Sequence, residues 1–172
     1  MLKPSLEEVK QFAKQYNTIP VFYEFSADNQ TPLNIYTAFA KNSKNSFILE
    51  SVSNGVQWDR YSFIGFSPEK EIRMMGNMAE IRSGDAVQTE QVEEPIAFLK
   101  KMLAEYRAPS YPDAPHFTGG LIGYFGYDTV RYGEKRLTNV PEDDIHMPDC
   151  HLFLYEELIA YDHLTSNGIV IL

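Results

Sequence analysis

The sequence predicts an α+β protein with a mostly antiparallel, sandwich-like sheet and a few flanking helices, folded as a single domain over residues 1–172. Of these residues 44% are hydrophobic, and they include 11 Tyr and 11 Phe, a composition that favours a packed core over a disordered chain. Short segments rich in β-branched and aromatic residues recur between turn residues, which is typical of hairpins. Helical spacing of apolar residues is confined to three stretches.

The first elements are predicted to be a helix, a strand and a second helix. Ser5 and Glu8 match a capping box, in which the hydroxyl accepts from the Glu amide while the Glu side chain reaches back. Pro32 follows Thr31, and this pair suits the N-cap and first position of a helix. The predicted helices cover residues 5–16 and 31–40, and the strand between them covers residues 19–25.

The middle of the chain is predicted to form an antiparallel meander. Asn54-Gly55, Gly76-Asn77 and Gly84-Asp85 separate strand-like segments, and each pair supplies the positive φ angles that tight hairpins need. The predicted strands cover residues 47–52, 60–66, 70–75, 78–82 and 86–92.

The rest of the chain is predicted to be one helix followed by strands. Apolar residues lie on one stripe over residues 95–106. Residues 117–127 contain four glycines, which suits a strand closely approached by other backbone. After an acidic linker over residues 141–149, residues 151–161 are predicted to be one long strand with residues 169–172 as its partner. Because an apolar strand makes an unusual terminus, we expect the chain to continue beyond this point.

Charge and composition exclude several classes of partner. A net charge of −9 opposes binding to a phosphate backbone, so no nucleic-acid partner is expected. No apolar run is long enough to span a membrane, and the N-terminus does not have the pattern of a secretory signal. Cys150 is the single cysteine, which excludes an internal disulfide. These features predict a cytoplasmic protein without a membrane partner.

Two segments contain residue types that are common in catalytic or metal sites. The glycine-rich run from Gly119 to Asp128 lacks the glycine spacing of a dinucleotide-binding turn and the Gly-Lys-Ser/Thr of a phosphate loop. His146, Cys150 and His151 lie among acidic residues but match no zinc spacing, and no feature identifies a base for the thiol. The sequence therefore predicts no catalytic residue and no metal ligand.

Glu50 is the most informative polar residue. Strand alternation places it on one face with Ile48 and Val52, and a carboxylate among aliphatic side chains needs a partner. That partner is either a basic residue such as Arg60 or, at an edge position, water. The functional alternative is a ligand ammonium, with the Ser51 hydroxyl nearby as donor or acceptor.

Four segments, in order along the chain, carry a family resemblance. They are Ile48-Leu49-Glu50-Ser51, Arg60 to Gly65 with Ser67-Pro68, Gly119 to Asp128, and Pro148-Asp149 to Asp162-His163. In this order they resemble the leading region of anthranilate synthase component I, the large subunit. The resemblance implies the N-terminal part of that fold, in a longer chain whose C-terminal domain binds chorismate and Mg²⁺.

The resemblance also implies a function. The family's large subunit is a lyase that converts chorismate to anthranilate and pyruvate, with ammonia supplied by a glutamine amidotransferase, component II. Its leading region holds the allosteric feedback site for tryptophan. Glu50, Ser51 and Arg60 match positions of that site, and Glu50 is expected to receive the α-ammonium. This chain is then a regulatory part without catalytic residues.

Two alternatives to this function follow from the same residues. Aminodeoxychorismate synthase component I, of the p-aminobenzoate branch, resembles the same segments and can retain a similar pocket. A free-standing amino-acid-binding module is the second alternative, and a stop codon directly after Leu172 would favour it.

Overall fold

The computed structural model describes residues 2–40, 42–50, 60–134, 136–140 and 142–172. The end of the predicted strand over residues 47–52 and the Asn54-Gly55 turn lie outside these ranges. The chain divides into two compact units. The first unit is Met1–Pro68, Tyr106–Gly119 and Tyr155–Leu172, and the second is Glu69–Glu105 and Gly120–Leu154. A single domain over residues 1–172 stays a prediction.

The described part of the chain contains a few short helices and eleven strands. The helices are α1 (Leu6–Phe12), α2 (Pro32–Ala40), α3 (Pro95–Ala104) and a 3-10 helix (Tyr127–Tyr132). The strands are β1 (Leu2–Lys3), β2 (Phe22–Ser26), β3 (Ser46–Leu49), β4 (Tyr61–Phe66), β5 (Lys70–Met75), β6 (Met78–Ser83), β7 (Ala86–Gln91), β8 (Gly120–Phe125), β9 (Cys150–Tyr155), β10 (Leu158–Asp162) and β11 (Asn167–Ile171). Among the described residues, each helix is too short or too polar to span a bilayer.

The strands form two sheets. The first unit contains a six-stranded sheet in the order β1-β2-β11-β10-β4-β3, and the second contains a five-stranded sheet in the order β7-β6-β5-β9-β8. The registered pairs are antiparallel in both sheets. The predicted α+β class with mostly antiparallel sheet is confirmed.

Two predictions about strand continuity are wrong. The predicted meander is interrupted, because β4 and β5 belong to different sheets and are separated by Ser67, with a φ of 53°, and Pro68. Positive φ disfavours extended backbone at a non-glycine residue, and proline lacks an N–H for the ladder. The predicted long strand over residues 151–161 is two strands, β9 and β10, on either side of the exposed Glu156 and Glu157.

The capping box of α1 is confirmed. The Ser5 amide donates to Glu8 Oε2 at 2.8 Å, and the Glu8 amide donates to Ser5 Oγ at 3.4 Å. Helix α1 ends at Phe12, four residues before the predicted end, and turn residues follow it.

The six-stranded sheet of the first unit has apolar side chains on both faces. On one face α2 places Ile35 against Ile64 and Ile159, two residues that are directly paired between β4 and β10. On the other face the ring of Tyr111 lies 5.2 Å from that of Phe22, in an edge-to-face arrangement. Aromatic pairs at such distances add to the stability gained by burial. The segment around Tyr111 therefore covers the face opposite α2.

The second unit packs α3 against its five-stranded sheet. Leu99 and Met102 of α3 share a buried cluster with Ile72, Met74 and Leu152 of the sheet. Strand β8 lies at the edge of this sheet, next to β9. A Cβ atom at Gly123 would overlap the carbonyl oxygen of His151, so the predicted close approach of other backbone to the glycine-rich strand is confirmed.

Candidate ligand-binding site

Glu50 lies directly after the end of β3, an edge strand of the six-stranded sheet. Leu49, its predecessor, is paired with Phe63 of β4, and Glu50 itself is exposed. Of the alternatives for Glu50, the structure agrees with the edge position open to water, because β3 ends at Leu49 and Glu50 is exposed. Ser51 lies outside the described residues.

Arg60 precedes β4 and is bound by a buried carboxylate of β10. Its Nε donates to Asp162 Oδ1 at 3.0 Å and its Nη2 donates to Asp162 Oδ2 at 2.7 Å. This two-point contact fixes the plane of the guanidinium. The Arg60 side chain is 46% exposed, whereas that of Asp162 is 4% exposed. A guanidinium has five N–H donors, so the two given to Asp162 leave Arg60 with donors for a further acceptor.

Asp162 remains ionised despite its burial. Burial by itself would raise the pKa of Asp162, but hydrogen bonds from Arg60, the Leu164 amide and Thr165 hold the pKa below its ordinary value. The Leu164 amide donates to Asp162 Oδ1 at 3.0 Å. Asp162 lies in a segment that carries the family resemblance, yet no local pattern predicts its role, because its partner lies 102 positions away in the chain.

A second contact joins β4 to the end of β10. Ser62 Oγ lies 2.7 Å from His163 Nε2, and the His163 amide donates to the Arg60 carbonyl oxygen at 2.9 Å. Ser62 is fully buried. These contacts join the two chain segments that carry Arg60 and Asp162.

The strand register brings Glu50 and Arg60 to one end of the sheet. These are the two predicted site residues that the structure describes. Phe63 is paired with Leu49 on one side and with Ala160 on the other. Because these pairs are antiparallel, Glu50 after β3 and Arg60 before β4 lie at the same end. An exposed carboxylate and a fixed guanidinium at one sheet end complement the ammonium and the carboxylate of a free amino acid.

Replacing Asp162 with Asn is expected to lower the free energy of unfolding by about 2 kcal/mol. The substitution removes the buried carboxylate and with it the two-point pairing to a partly solvated guanidinium. Chemical denaturation measures this loss. Asp128→Asn is the matched control, since Asp128 pairs with Arg131 at 2.8 Å on the surface, and its cost is expected to stay below about 1 kcal/mol.

The same pair predicts a pH dependence. The folded-state pKa of Asp162 is lowered, so its stabilising contribution is present above the unfolded-state pKa, near about 4, and is lost as the pH falls through the folded-state value. The difference in unfolding free energy between the wild type and Asp162→Asn should therefore shrink below about pH 4. A difference that is constant through this range would contradict the role of the ionised pair.

The cysteine and histidine cluster of the sequence does not form a reactive centre. Cys150 is 1% exposed, and burial, with the nearby Asp149 charge, raises its thiol pKa to about 11, so the thiolate is scarce at neutral pH. His151 Nε2 lies 2.7 Å from Glu71 Oε1, and His146 is exposed. Within the described ranges, no group of three or more His, Cys, Asp or Glu residues could hold a metal ion.

Comparison with known proteins gives a consistent set of relatives. No family model matches the chain. The chain is 42% identical over 167 residues to anthranilate synthase component 1 of Acetivibrio thermocellus, a match that covers 97% of this chain and 33% of that protein. It is 42% identical over 164 residues to anthranilate synthase component 1 of Pseudomonas aeruginosa, covering 94% of this chain and 33% of that protein.

A plant relative and a solved structure extend the similarity. The chloroplastic anthranilate synthase alpha subunit 2 of Arabidopsis thaliana is 36% identical over 174 residues, covering 94% of this chain and 28% of the plant protein. The crystal structure of anthranilate synthase component I from Streptococcus pneumoniae matches with a TM-score of 0.54 and 28% identity, over 84% of this chain and 29% of that one. The chain thus spans about a third of the length of the curated relatives it matches.

Proposed function

Because the chain belongs to the anthranilate synthase component I family along nearly its whole length, we propose that it works as one part of a longer chorismate-using enzyme. The proposed reaction converts chorismate and ammonia to anthranilate and pyruvate in tryptophan biosynthesis. The proposed partners are a C-terminal chorismate-binding domain and a glutamine amidotransferase subunit that supplies ammonia. In this proposal the catalytic residues and Mg²⁺ belong to the C-terminal domain, and the enzyme is cytoplasmic.

Within that enzyme, the proposed role of this chain is feedback control by tryptophan. The observation that supports it is the pair of opposite charges at one end of the six-stranded sheet, the exposed Glu50 and the fixed, half-exposed Arg60. Glu50 would receive the α-ammonium of tryptophan and Arg60 its α-carboxylate, with the Ser51 hydroxyl as a further hydrogen-bonding group. Zwitterion recognition of this kind needs both charges, whereas a neutral metabolite would use neither.

Tryptophan can inhibit only through a difference in affinity between two states of the enzyme. It must bind a low-activity state more tightly than the active state, and such coupling is typically about 1–3 kcal/mol, or about 5- to 150-fold in affinity. A site shared between this chain and further polypeptide would provide the difference, since closure around the ligand changes how the two parts pack.

The reaction is tested by product identification. The full-length protein, supplied with chorismate, ammonia and Mg²⁺, is expected to release anthranilate and pyruvate in equal amounts, and tryptophan is expected to reduce the rate. Liquid chromatography with mass detection separates anthranilate from aminodeoxychorismate. Accumulation of aminodeoxychorismate without pyruvate would contradict the proposal and favour the p-aminobenzoate branch.

A further inference from the structure

A cleft in the first unit forms a second candidate site, and neither Glu50 nor Arg60 lines it. Its volume is about 270 Å³, close to the lower end of the range for small-molecule pockets, about 300–1,000 Å³. Three parts of the chain enclose it: helix α1, strands β1, β2 and β11, and the segment over residues 111–115. A cleft of this size suits a molecule with one ring.

The walls of the cleft are aromatic and conformationally restricted. The Tyr111 ring lies 5.7 Å from that of Phe12 and 5.2 Å from that of Phe22, nearly perpendicular to both. Phe22 is 8% exposed, and Pro112 and Pro115 limit the backbone freedom of the third wall. The aromatic surface is therefore present before any ligand binds, which lowers the entropy lost on binding.

The charge of the lining residues is negative. Glu8, Glu24 and Asp113 contribute three carboxylates and Lys3 contributes one ammonium, which gives three negative charges against one positive and a net charge of −2. A ligand with a positive charge is favoured in such a cleft, and one with a free carboxylate is opposed.

Two of these carboxylates are held in position by uncharged donors. The backbone amide and the hydroxyl of Ser5 donate to Glu8 Oε2 at 2.8 and 2.7 Å. Asn167 Nδ2 donates to Glu24 Oε1 at 2.7 Å. These hydrogen bonds orient the carboxylates but leave their charge in place, so both can still accept from an ammonium.

We propose that this cleft binds a small primary amine that carries one aromatic ring and no carboxylate. The ammonium lies toward Glu8 and Glu24, and the ring packs against Phe12 and Phe22. This ligand class differs from a free amino acid, since the α-carboxylate of an amino acid would face the same acidic rim. The proposal does not rest on the tryptophan site, because different residues and a different ligand charge carry it.

Calorimetric titration of the full-length protein with 2-phenylethylamine at neutral pH and low salt tests the proposal. Two probes with the same ring serve as comparisons: 2-phenylethanol, which is uncharged, and 3-phenylpropionate, which is an anion. The amine is expected to bind at least about tenfold more tightly than the alcohol, which corresponds to about 1.4 kcal/mol, and the anion is expected to give no measurable heat. Equal affinity for the three probes, or no binding of the amine, would overturn the proposal.

Variants locate the binding site of the amine. Glu24→Gln is expected to lower the affinity for the amine about threefold, which corresponds to the free energy of an exposed charge pair. Glu24→Gln combined with Asp113→Asn is expected to lower this affinity about tenfold. Glu156→Gln, which removes an exposed carboxylate outside the cleft, is the matched control and should leave the affinity unchanged. Glu50→Ala should also leave it unchanged. A loss of amine binding in Glu50→Ala, or full binding in the Glu24 and Asp113 double variant, would contradict the assignment to this cleft.

Discussion

Glu50→Ala in the full-length enzyme is expected to raise the tryptophan concentration for half-maximal inhibition by about tenfold or more. A hydrogen bond between two charged groups contributes about 1.5–3 kcal/mol, and about 1.4 kcal/mol corresponds to a factor of ten. The lower end of that range applies here, because Glu50 is exposed in the described structure. Chorismate turnover without tryptophan should remain largely intact, since Glu50 has no proposed catalytic role.

A second substitution in the same segment gives an independent test. Ser51→Phe is expected to relieve inhibition by steric hindrance, since a phenyl ring would occupy the space proposed for the α-ammonium and α-carboxylate of tryptophan. Tryptophan titrations of anthranilate formation measure both variants against Glu156→Ala, which removes an exposed carboxylate from the turn between β9 and β10. Unchanged inhibition in both variants would discard the assignment of Glu50 and Ser51. Loss of basal turnover would instead indicate a structural role.

Gly123→Ala is expected to destabilise the second unit by about 3 kcal/mol or more, because the added methyl group overlaps backbone atoms that cannot rotate away. A Cβ atom at Gly123 would overlap the His151 carbonyl oxygen and lie 2.9 Å from Leu152 Cα. Both atoms belong to β9, the strand beside β8. The pairing of the two strands must therefore open to accept any side chain.

Gly133→Ala is the matched control for this substitution. Gly133 has a φ of −102°, and a methyl group added there would have the Val130 carbonyl oxygen as its nearest neighbour, at 3.9 Å, an ordinary contact distance. We expect a change below about 0.5 kcal/mol for it. Urea denaturation of both variants gives the comparison, and similar losses in the two would contradict the close approach of β8 and β9.

Local sequence signals correctly predicted two hairpin turns and one helix cap. Gly76 and Gly84 have φ angles of 55° and 57°, and they lie in the turns on either side of β6, where the Gly-Asn and Gly-Asp pairs predicted hairpins. The capping box at Ser5 and Glu8 is present as expected. Each of these features depends on backbone preferences and hydrogen bonds over a few residues, so neighbouring residues are sufficient to predict it.

The strand breaks could not be predicted in this way. Hydrophobic residues continue across the β9 to β10 boundary, and only the exposed Glu156 and Glu157 interrupt them. A period-2 pattern indicates that a segment is extended, but it does not say to which sheet each half belongs. The same limit left the alternatives for Glu50 open, since alternation predicts the face of a residue only while the strand lasts, and β3 ends at Leu49.

The order of residues was sufficient to predict the antiparallel α+β class, the local turns and caps, and the family, whereas the role of Glu50 and Ser51 stays a prediction. The folded chain was needed to show that Arg60 binds Asp162, 102 positions away, and that α1, β2 and residues 111–115 enclose one cleft. The range of the forces involved explains this division. Turns and caps are set by energies between neighbours in the chain, whereas ion pairs and clefts depend on which distant strands become adjacent when the sheets form.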